Sequence, residues 1–335
     1  MRTHAVAAIS LLMAAAGGGA AHPDHSSSAQ PDRRALPART PTPMEQVELP
    51  PAEVSITIEG EHRVIRTNGL PNHETGEFPN QGNPNALRPQ EIAFRVPLQP
   101  EPSDRLTPAR PEFGVAVNGV IFDAGTGEFW TPEGRAFGAR SAWNYEALAG
   151  GVDLGIDANN AHVQPTGKYH YHGLPIGLIE TLRGDEGEER MLLLGWAADG
   201  FPIYGPLGYA DPMDPQSELK ALEPSYRVRS GERPASPEGP GGACDGTFSA
   251  DWEYVEGAGD LDECNGRFGV TPEFPDGTYY YVITEAFPSI PRYWRGEPDP
   301  AFRRGPEGGG PGAGPGRGAP DGARSPRERP ERPQR

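Results

Sequence analysis

Glycine and proline are so dense in this chain that long helices or strands are not expected. They account for 45 and 40 of its 335 residues. Proline cannot donate a backbone hydrogen bond, and glycine loses the most conformational entropy when it is fixed, so the elements between them stay short. Because hydrophobic residues make up only 35% of the chain, the composition predicts short elements, many turns and some segments without fixed structure.

The apolar segments between these residues have the character of strands. Six β-branched or aromatic runs end at Gly, Pro, Asn or Asp, namely Val54–Ile58, Val64–Thr67, Ile92–Val96, Phe113–Val117, Met191–Trp196 and Tyr279–Thr284. Only Ser141–Leu148 has a pattern typical of a helix. Since strands and helices do not alternate, we predict an all-β fold, a single β-sandwich or barrel-like domain with long irregular loops.

Composition divides the chain into four segments. Residues 1–21 combine Arg2, an apolar run and small residues, the pattern of a signal peptide that is removed on export. Residues 22–52 are a predicted disordered linker, residues 53–296 the folded domain, and residues 297–335 a disordered tail rich in Gly, Pro and Arg. The mature protein is therefore expected in the periplasm or outside the cell.

Two classes of partner are not expected from the charge and hydropathy of the chain. Its formal charge of -17 argues against nucleic acid, whose phosphates need a basic surface. The apolar run near the N-terminus is about half of the ~20 residues that span a bilayer, and no later segment is comparable, so no membrane span is predicted. A metal ion or a small molecule remains the expected ligand.

Cys244 and Cys264 are the two cysteines of the chain. In an oxidising compartment such a pair usually forms a disulfide, which would add ~3 kcal/mol to stability in the chain-entropy model. The alternative is a metal ligand or a nucleophile, but neither cysteine lies in a Cys-x-x-Cys or His-Cys-His context. We therefore predict a Cys244–Cys264 disulfide.

Three histidines lie close together between residues 162 and 172, on either side of a Pro-Thr-Gly turn. This arrangement predicts a β-hairpin. Side chains alternate faces along a strand, so His170 and His172 share one face while Tyr169 and Tyr171 share the other. With a three-residue turn, His162 lies opposite His170 at ~5 Å between Cβ atoms. A turn one residue longer would set His162 against Tyr169 and leave two histidines on the face.

Three neutral imidazoles on one rigid face suit copper or zinc and leave a coordination position open. We therefore predict a metal site of His162, His170 and His172. Asp153 and Asp157 lie just upstream and are candidates to orient an imidazole through its second nitrogen. The alternative is that the histidines are ordinary polar residues of a half-exposed strand.

The chain resembles the YHYH-domain family of secreted proteins, which is named for the motif Tyr169-His170-Tyr171-His172. Further matching stretches are Asn68–His73, Asn118–Val120, Asp199–Gly205 and Leu261–Arg267. The resemblance covers about residues 54–294 and implies one folded domain but no particular reaction. It also adds His73, which lies in a matching stretch, as a fourth candidate ligand. Asp199 is a candidate to orient a ligand histidine or to transfer a proton.

Three functions are compatible with these residues: a metal-dependent enzyme, a metal-binding protein without turnover, and a structural or adhesive β domain whose histidines only pack and hydrogen-bond. Whether the protein is an enzyme stays open at this point. A blue-copper oxidase is excluded because no His-Cys-His segment is present. No Gly-x-Ser-x-Gly or Gly-x-x-x-x-Gly-Lys motif supports serine hydrolase or nucleotide chemistry.

Overall fold

Short strands dominate the fold, as the density of glycine and proline predicts. The computed structural model describes residues 48–109, 112–139, 141–185, 187 and 189–303. The strands in chain order are β1 (Val54–Glu59), β2 (His62–Thr67), β3 (Ile92–Pro97), β4 (Thr107–Pro108), β5 (Glu112–Ala116), β6 (Ile121–Asp123), β7 (Glu128–Thr131), β8 (Gly134–Phe137), β9 (Ala161–Val163), β10 (Tyr169–Tyr171), β11 (Leu193–Ala197), β12 (Pro202–Tyr204), β13 (Leu207–Tyr209), β14 (Leu219–Ala221), β15 (Tyr226–Val228), β16 (Trp252–Tyr254), β17 (Gly266–Gly269), β18 (Thr278–Val282) and β19 (Tyr293–Trp294). The helices in this part of the chain are α1 (Ile176–Arg183) and two 3₁₀ turns, Ser249–Asp251 and Pro300–Arg303. The all-β prediction is thus confirmed.

An eight-stranded mixed sheet forms the centre of the fold. Its strand order is β17-β18-β12-β11-β5-β6-β10-β9. The pairs β6–β10 and β12–β18 are parallel, and the other neighbouring strands are antiparallel. The parallel pairs bring together strands that are distant in sequence, so the sheet order differs from the chain order.

A second sheet consists of β1, β2 and β3, paired antiparallel in that order. In the inner strand β2, Val64 and Ile65 are buried, whereas Val54, Ile56 and Ile58 of the edge strand β1 are exposed. The remaining strands pair as four two-stranded sheets, β13–β14, β15–β16, β19–β4 and β7–β8. All six predicted apolar runs lie on strands of the two larger sheets.

The main hydrophobic core packs against the eight-stranded sheet and contains most of its aromatic side chains. Tyr169 and Tyr171 are both fully buried in it, next to Phe122 of the neighbouring strand. A smaller core around Tyr204 and Tyr280 covers the far end of the same sheet. The tyrosines of β10 therefore anchor this strand from one side and leave its other side to the histidines.

The predicted helix Ser141–Leu148 is absent. Trp143, Asn144 and Tyr145 instead run beside β7, where the Trp130 amide donates to the Trp143 carbonyl at 2.9 Å and the Tyr145 amide donates to the Glu128 carbonyl at 3.0 Å. Pairing with a strand has overridden the local helical pattern. The α-helix observed, α1, starts after Pro175 without a side-chain cap and without an acidic residue in its first turn, so its start carried no sequence signal.

The predicted disulfide is wrong, because both cysteines are free. Cys264 is buried in the main core beside β17, while Cys244 lies in a partly exposed loop, where its amide donates to the Gly231 carbonyl at 3.1 Å. The two residues belong to different parts of the fold, and their spacing in sequence did not reveal this. The predicted signal peptide, most of the linker and most of the C-terminal tail lie outside the described residues.

Candidate metal centre

The hairpin β9–β10 has the register that a three-residue turn predicts. His170 pairs with His162, and Tyr169 pairs with Val163. The turn is closed by two hydrogen bonds, from the Gln164 amide to the Lys168 carbonyl at 2.9 Å and from the Gly167 amide to the Gln164 carbonyl at 2.8 Å. This register brings all three histidines to one face of the hairpin.

The three imidazoles converge on one point. Their ring centroids lie 4.6 Å apart for His162 and His170, 4.9 Å for His162 and His172, and 4.7 Å for His170 and His172. One nitrogen from each ring falls within 4.8 Å of the others. The Nε2 atoms of His162 and His172 are only 3.1 Å apart, close to the separation of two nitrogens that bind one zinc ion at about 2 Å each.

Backbone carbonyl groups fix the orientation of the rings. Nδ1 of His162 donates to the Leu154 carbonyl at 2.8 Å, and Nδ1 of His170 donates to the Lys168 carbonyl at 3.3 Å. The ring of His172 hydrogen-bonds to the backbone of Asp123. The bonds of His162 and His170 place the proton of each ring on Nδ1 and leave the lone pair on Nε2. Nε2 of His162 then faces Nε2 of His172.

Burial keeps the three histidines neutral. It lowers the pKa of His162, and it lowers the pKa of His170 and His172 well below the usual value. For His170 the neighbouring imidazoles add to this effect, since a second positive charge beside the first is unfavourable. Neutral imidazole is the form that binds a metal ion, so the site needs to lose no proton before binding.

A carboxylate that sequence reasoning missed lies beside the histidines. Asp123 ends β6, the parallel neighbour of β10, and its Oδ2 lies 3.8 Å from Nε2 of His170. The side chain is 5% exposed, and burial raises its pKa to about 8. Its Oδ1 accepts the Gly125 amide at 3.1 Å. A cation in this site would offset the cost of burying the Asp123 charge.

The opposite face of β10 carries a separate hydrogen-bond network. The Tyr169 hydroxyl donates to Oδ2 of Asp157, and the Tyr171 hydroxyl donates to Nε2 of His73, both at 2.6 Å. Nδ2 of Asn118 donates to the Tyr171 hydroxyl at 2.9 Å. His73, expected as a fourth ligand, is thus placed with the tyrosines and not with the three histidines. Asp157, which we expected to orient an imidazole, accepts a hydrogen bond from the Tyr169 hydroxyl instead.

Asp199 lies in a different part of the sheet, in the turn between β11 and β12. Its Oδ2 accepts the Tyr281 hydroxyl at 2.5 Å and the Gly296 amide at 2.9 Å. No hydrogen bond among the described residues joins it to a histidine. Asp199 is only 1% exposed, and burial raises its pKa to about 6. The position beside the histidines that we expected for Asp199 is held by Asp123.

The sequence model of a family described as YHYH protein matches residues 93–296. This match covers well over half of the 335 residues and includes β9, β10, β6 and the intervening loops. No curated protein and no solved structure matches the chain. Among the described residues, none of the helices is long and apolar enough to cross a membrane.

Proposed function

The chain belongs to the YHYH family, and from this premise we propose that it is a metal-binding protein whose copper or zinc ion is held by His162, His170 and His172. The observation that carries the proposal is the 3.1 Å distance between Nε2 of His162 and Nε2 of His172. Two lone pairs at this distance repel each other unless a cation lies between them. A bound copper or zinc ion would be that cation.

The alternative is a structural or adhesive β domain in which the histidines only hydrogen-bond. It requires a proton between the two Nε2 atoms. The carbonyl of Leu154 accepts a hydrogen bond from Nδ1 of His162. The proton of the His162 ring is therefore on Nδ1, and its Nε2 has none. The neutral ring of His172 has one proton, which its hydrogen bond to the backbone of Asp123 uses. A second proton on either ring is disfavoured because burial lowers the pKa of both histidines. Metal binding is therefore the better-supported function.

The ligand set is compatible with chemistry as well as with storage. Three protein ligands leave a position for water or another molecule, which is the arrangement of catalytic zinc sites. Bound copper or zinc would supply Lewis acidity there. Asp123 lies at the edge of the histidine cluster, and a bound cation would favour its charged form. Its Oδ2 would then be placed to accept a proton from such a molecule. We propose turnover by a metal-dependent enzyme as an extension of the metal-binding function.

Single replacements of the three histidines test the metal site. His162→Ala, His170→Ala and His172→Ala should each lose stoichiometric zinc and copper, because each removes one of three ligands. The affinity should fall by more than the ~10–100-fold that loss of a group supporting a ligand costs. The measurement is metal content by mass spectrometry after loading and gel filtration, with circular dichroism to confirm folding.

His73→Ala is the matched control, because His73 is bound to Tyr171 on the opposite face of β10. This variant should retain the metal. Wild-type protein that binds neither zinc nor copper at micromolar supply would contradict the proposal. So would triad variants that bind metal as the wild type does.

We extend the proposal to export into the periplasm or the medium. It rests on the N-terminal segment alone, where Arg2 precedes an apolar run and small residues. The free cysteines lend it no support, since the disulfide expected in an oxidising compartment is not formed.

A further inference from the structure

A cavity adjoins the histidine cluster on the side of His172. Its volume is about 160 Å³, close to that of an engineered protein cavity that binds benzene. The side chains that determine its chemistry come from five different segments, and they are Asp123, His172, Glu146, Arg292, Trp252 and Phe287. The cavity therefore connects one ligand of the proposed metal with a cation and with two aromatic rings.

Arg292 is held in place but keeps unused donors. Its Nη2 donates to Oε2 of Glu146 at 2.5 Å, and the other carboxylate oxygen of Glu146 accepts the Ser249 hydroxyl. Its Nε is buried and has no hydrogen-bond partner. No hydrogen bond within the described ranges reaches its Nη1. Glu146 thus orients the guanidinium and leaves part of its donor set for another acceptor.

The free edge of the guanidinium lies near the metal site. A Cβ atom added at Gly125, which also lines the cavity, would lie 3.7 Å from Nη1 of Arg292. His172 and Asp123 line the same cavity as Arg292. An anion in the cavity would therefore meet Arg292 on one side and the metal position on the other.

Another part of the cavity wall consists of two flat aromatic rings. The rings of Trp252 and Phe287 are stacked, with 4.5 Å between their centroids and 7° between their planes. The guanidinium of Arg292 lies over Phe287, 5.2 Å from the ring centre. Such a wall suits a planar apolar body, and the guanidinium suits a carboxylate.

We infer that this cavity binds a small carboxylic acid, whose carboxylate lies between Arg292 and the metal and whose apolar body packs against Trp252 and Phe287. The inference rests on the proposed metal site and names the class of ligand for it. The other carboxylates of the cavity do not favour a cationic ligand. Glu146 is already bound to Arg292, Asp123 lies against His170, and Glu285 is exposed at the rim.

Benzoate is the probe, since its ring matches the size of the cavity. We expect zinc-loaded wild-type protein to bind benzoate in calorimetry and to bind neutral benzamide at least tenfold more weakly. Arg292→Met should weaken benzoate binding about tenfold or more, because charge-assisted hydrogen bonds are lost. Arg292→Lys should restore part of the affinity. Removing the zinc with a chelator should weaken benzoate binding as well.

Two further variants keep the result interpretable. Arg66→Met breaks another Arg–Glu pair, in which the exposed side chains of Arg66 on β2 and Glu59 on β1 lie 2.8 Å apart. This variant should leave benzoate binding unchanged. Arg292→Met alone leaves the Glu146 carboxylate without its ionic partner, which could unfold the protein. The double variant Glu146→Gln with Arg292→Met removes that charge as well and supplies a folded protein without the guanidinium.

The outcomes separate the two proposals. Protein that binds no metal overturns the proposed function and the inference together. Protein that binds zinc but not benzoate, or binds it equally well in Arg292→Met or the double variant, overturns the inference alone. Benzylammonium binding in place of benzoate would likewise show that the cavity selects cations.

Discussion

Among single residues, Asp199 offers the clearest link between burial and pH. Its carboxylate accepts hydrogen bonds from Tyr281 and Gly296 in the interior, yet burial outweighs these bonds and raises its pKa to about 6. In the unfolded chain an aspartate has a pKa of about 3.9. Because the folded state prefers the protonated carboxyl, Asp199 adds its full contribution to the free energy of unfolding below pH ~4. This contribution is lost as the pH rises through ~6.

We predict that Asp199→Asn flattens this part of the stability profile. Relative to the variant, the wild type should lose roughly 2 kcal/mol of unfolding free energy between pH 4 and pH 7, since a full unit of pKa difference is worth about 1.4 kcal/mol. Urea unfolding at several pH values measures the effect. Tyr281→Phe should extend the loss to higher pH, because the Tyr281 hydroxyl lowers the pKa of Asp199. Parallel profiles for wild type and Asp199→Asn would contradict the assignment.

Sequence reasoning succeeds for some residues of the site and fails for others. His162, His170 and His172 were predicted together because a short turn relates them, and strand alternation then fixes their face. Asp123 and Arg292 were missed, since they reach the histidines only through pairing and packing between distant segments. Asp123 follows the apolar run Val120–Phe122. An aspartate at the end of a strand is often only a turn residue, so its position in the sequence did not mark it as part of a site.

At the level of elements, the turn of the hairpin determines whether the site exists. Gly167 has φ +90°, and an added Cβ atom would meet the side chain of Arg88 at 2.6 Å. Its carbonyl also accepts the Arg88 amide at 3.0 Å. The turn is thus held both by its own backbone conformation and by the segment around Arg88.

We predict that Gly167→Ala lowers both stability and zinc affinity. The positive φ alone costs about 1–2 kcal/mol for a residue with a Cβ atom, and the contact with Arg88 shifts the turn that aligns His162 with His170. Thermal unfolding and competitive zinc titration measure the two effects.

Gly134→Ala provides the control for backbone strain. Gly134 also has positive φ, at +121°, but it lies at the start of β8 with nothing within 4 Å of an added Cβ atom. This variant should lose stability and keep the zinc affinity of the wild type. Equal losses of affinity in the two variants would show that general destabilisation, and not the register of β9 and β10, controls the site.

The elements themselves were predictable where the signal was local. The six apolar runs became strands because β-branched and aromatic residues between turn residues favour a pleated, buried surface. The helix assignment failed for Ser141–Leu148, whose backbone pairs with β7 instead. The parallel pairing of β6 with β10 could not be predicted, because the sequence of a strand does not specify which distant strand pairs with it.

For the molecule as a whole, the two cysteines behave as separate thiols. Cys264 is 1% exposed in the main core, and burial raises its pKa, whereas Cys244 is partly exposed. Only the thiolate reacts readily, so Cys264 should be protected as long as the fold is intact.

We predict that the exported chain begins near His22 and carries two free thiols. Intact-mass measurement of protein from the periplasm or medium should show one alkylated cysteine, Cys244, in the native state and two after denaturation. A mass that includes residues 1–21 would contradict export with cleavage. Failure to alkylate either residue in denaturant would show a disulfide and contradict the structure.

Strand β10 is hydrogen-bonded on both sides, to β6 and to β9, and its tyrosines are locked in the core. The imidazoles therefore have little freedom left to lose when an ion arrives, because their ordering was completed during folding. In the metal site that we propose, this fixed spacing would favour ions that match it and would adapt poorly to others. The rate of ion exchange would then depend on passage through the neighbouring cavity, which His172 lines, and not on rearrangement of the histidines.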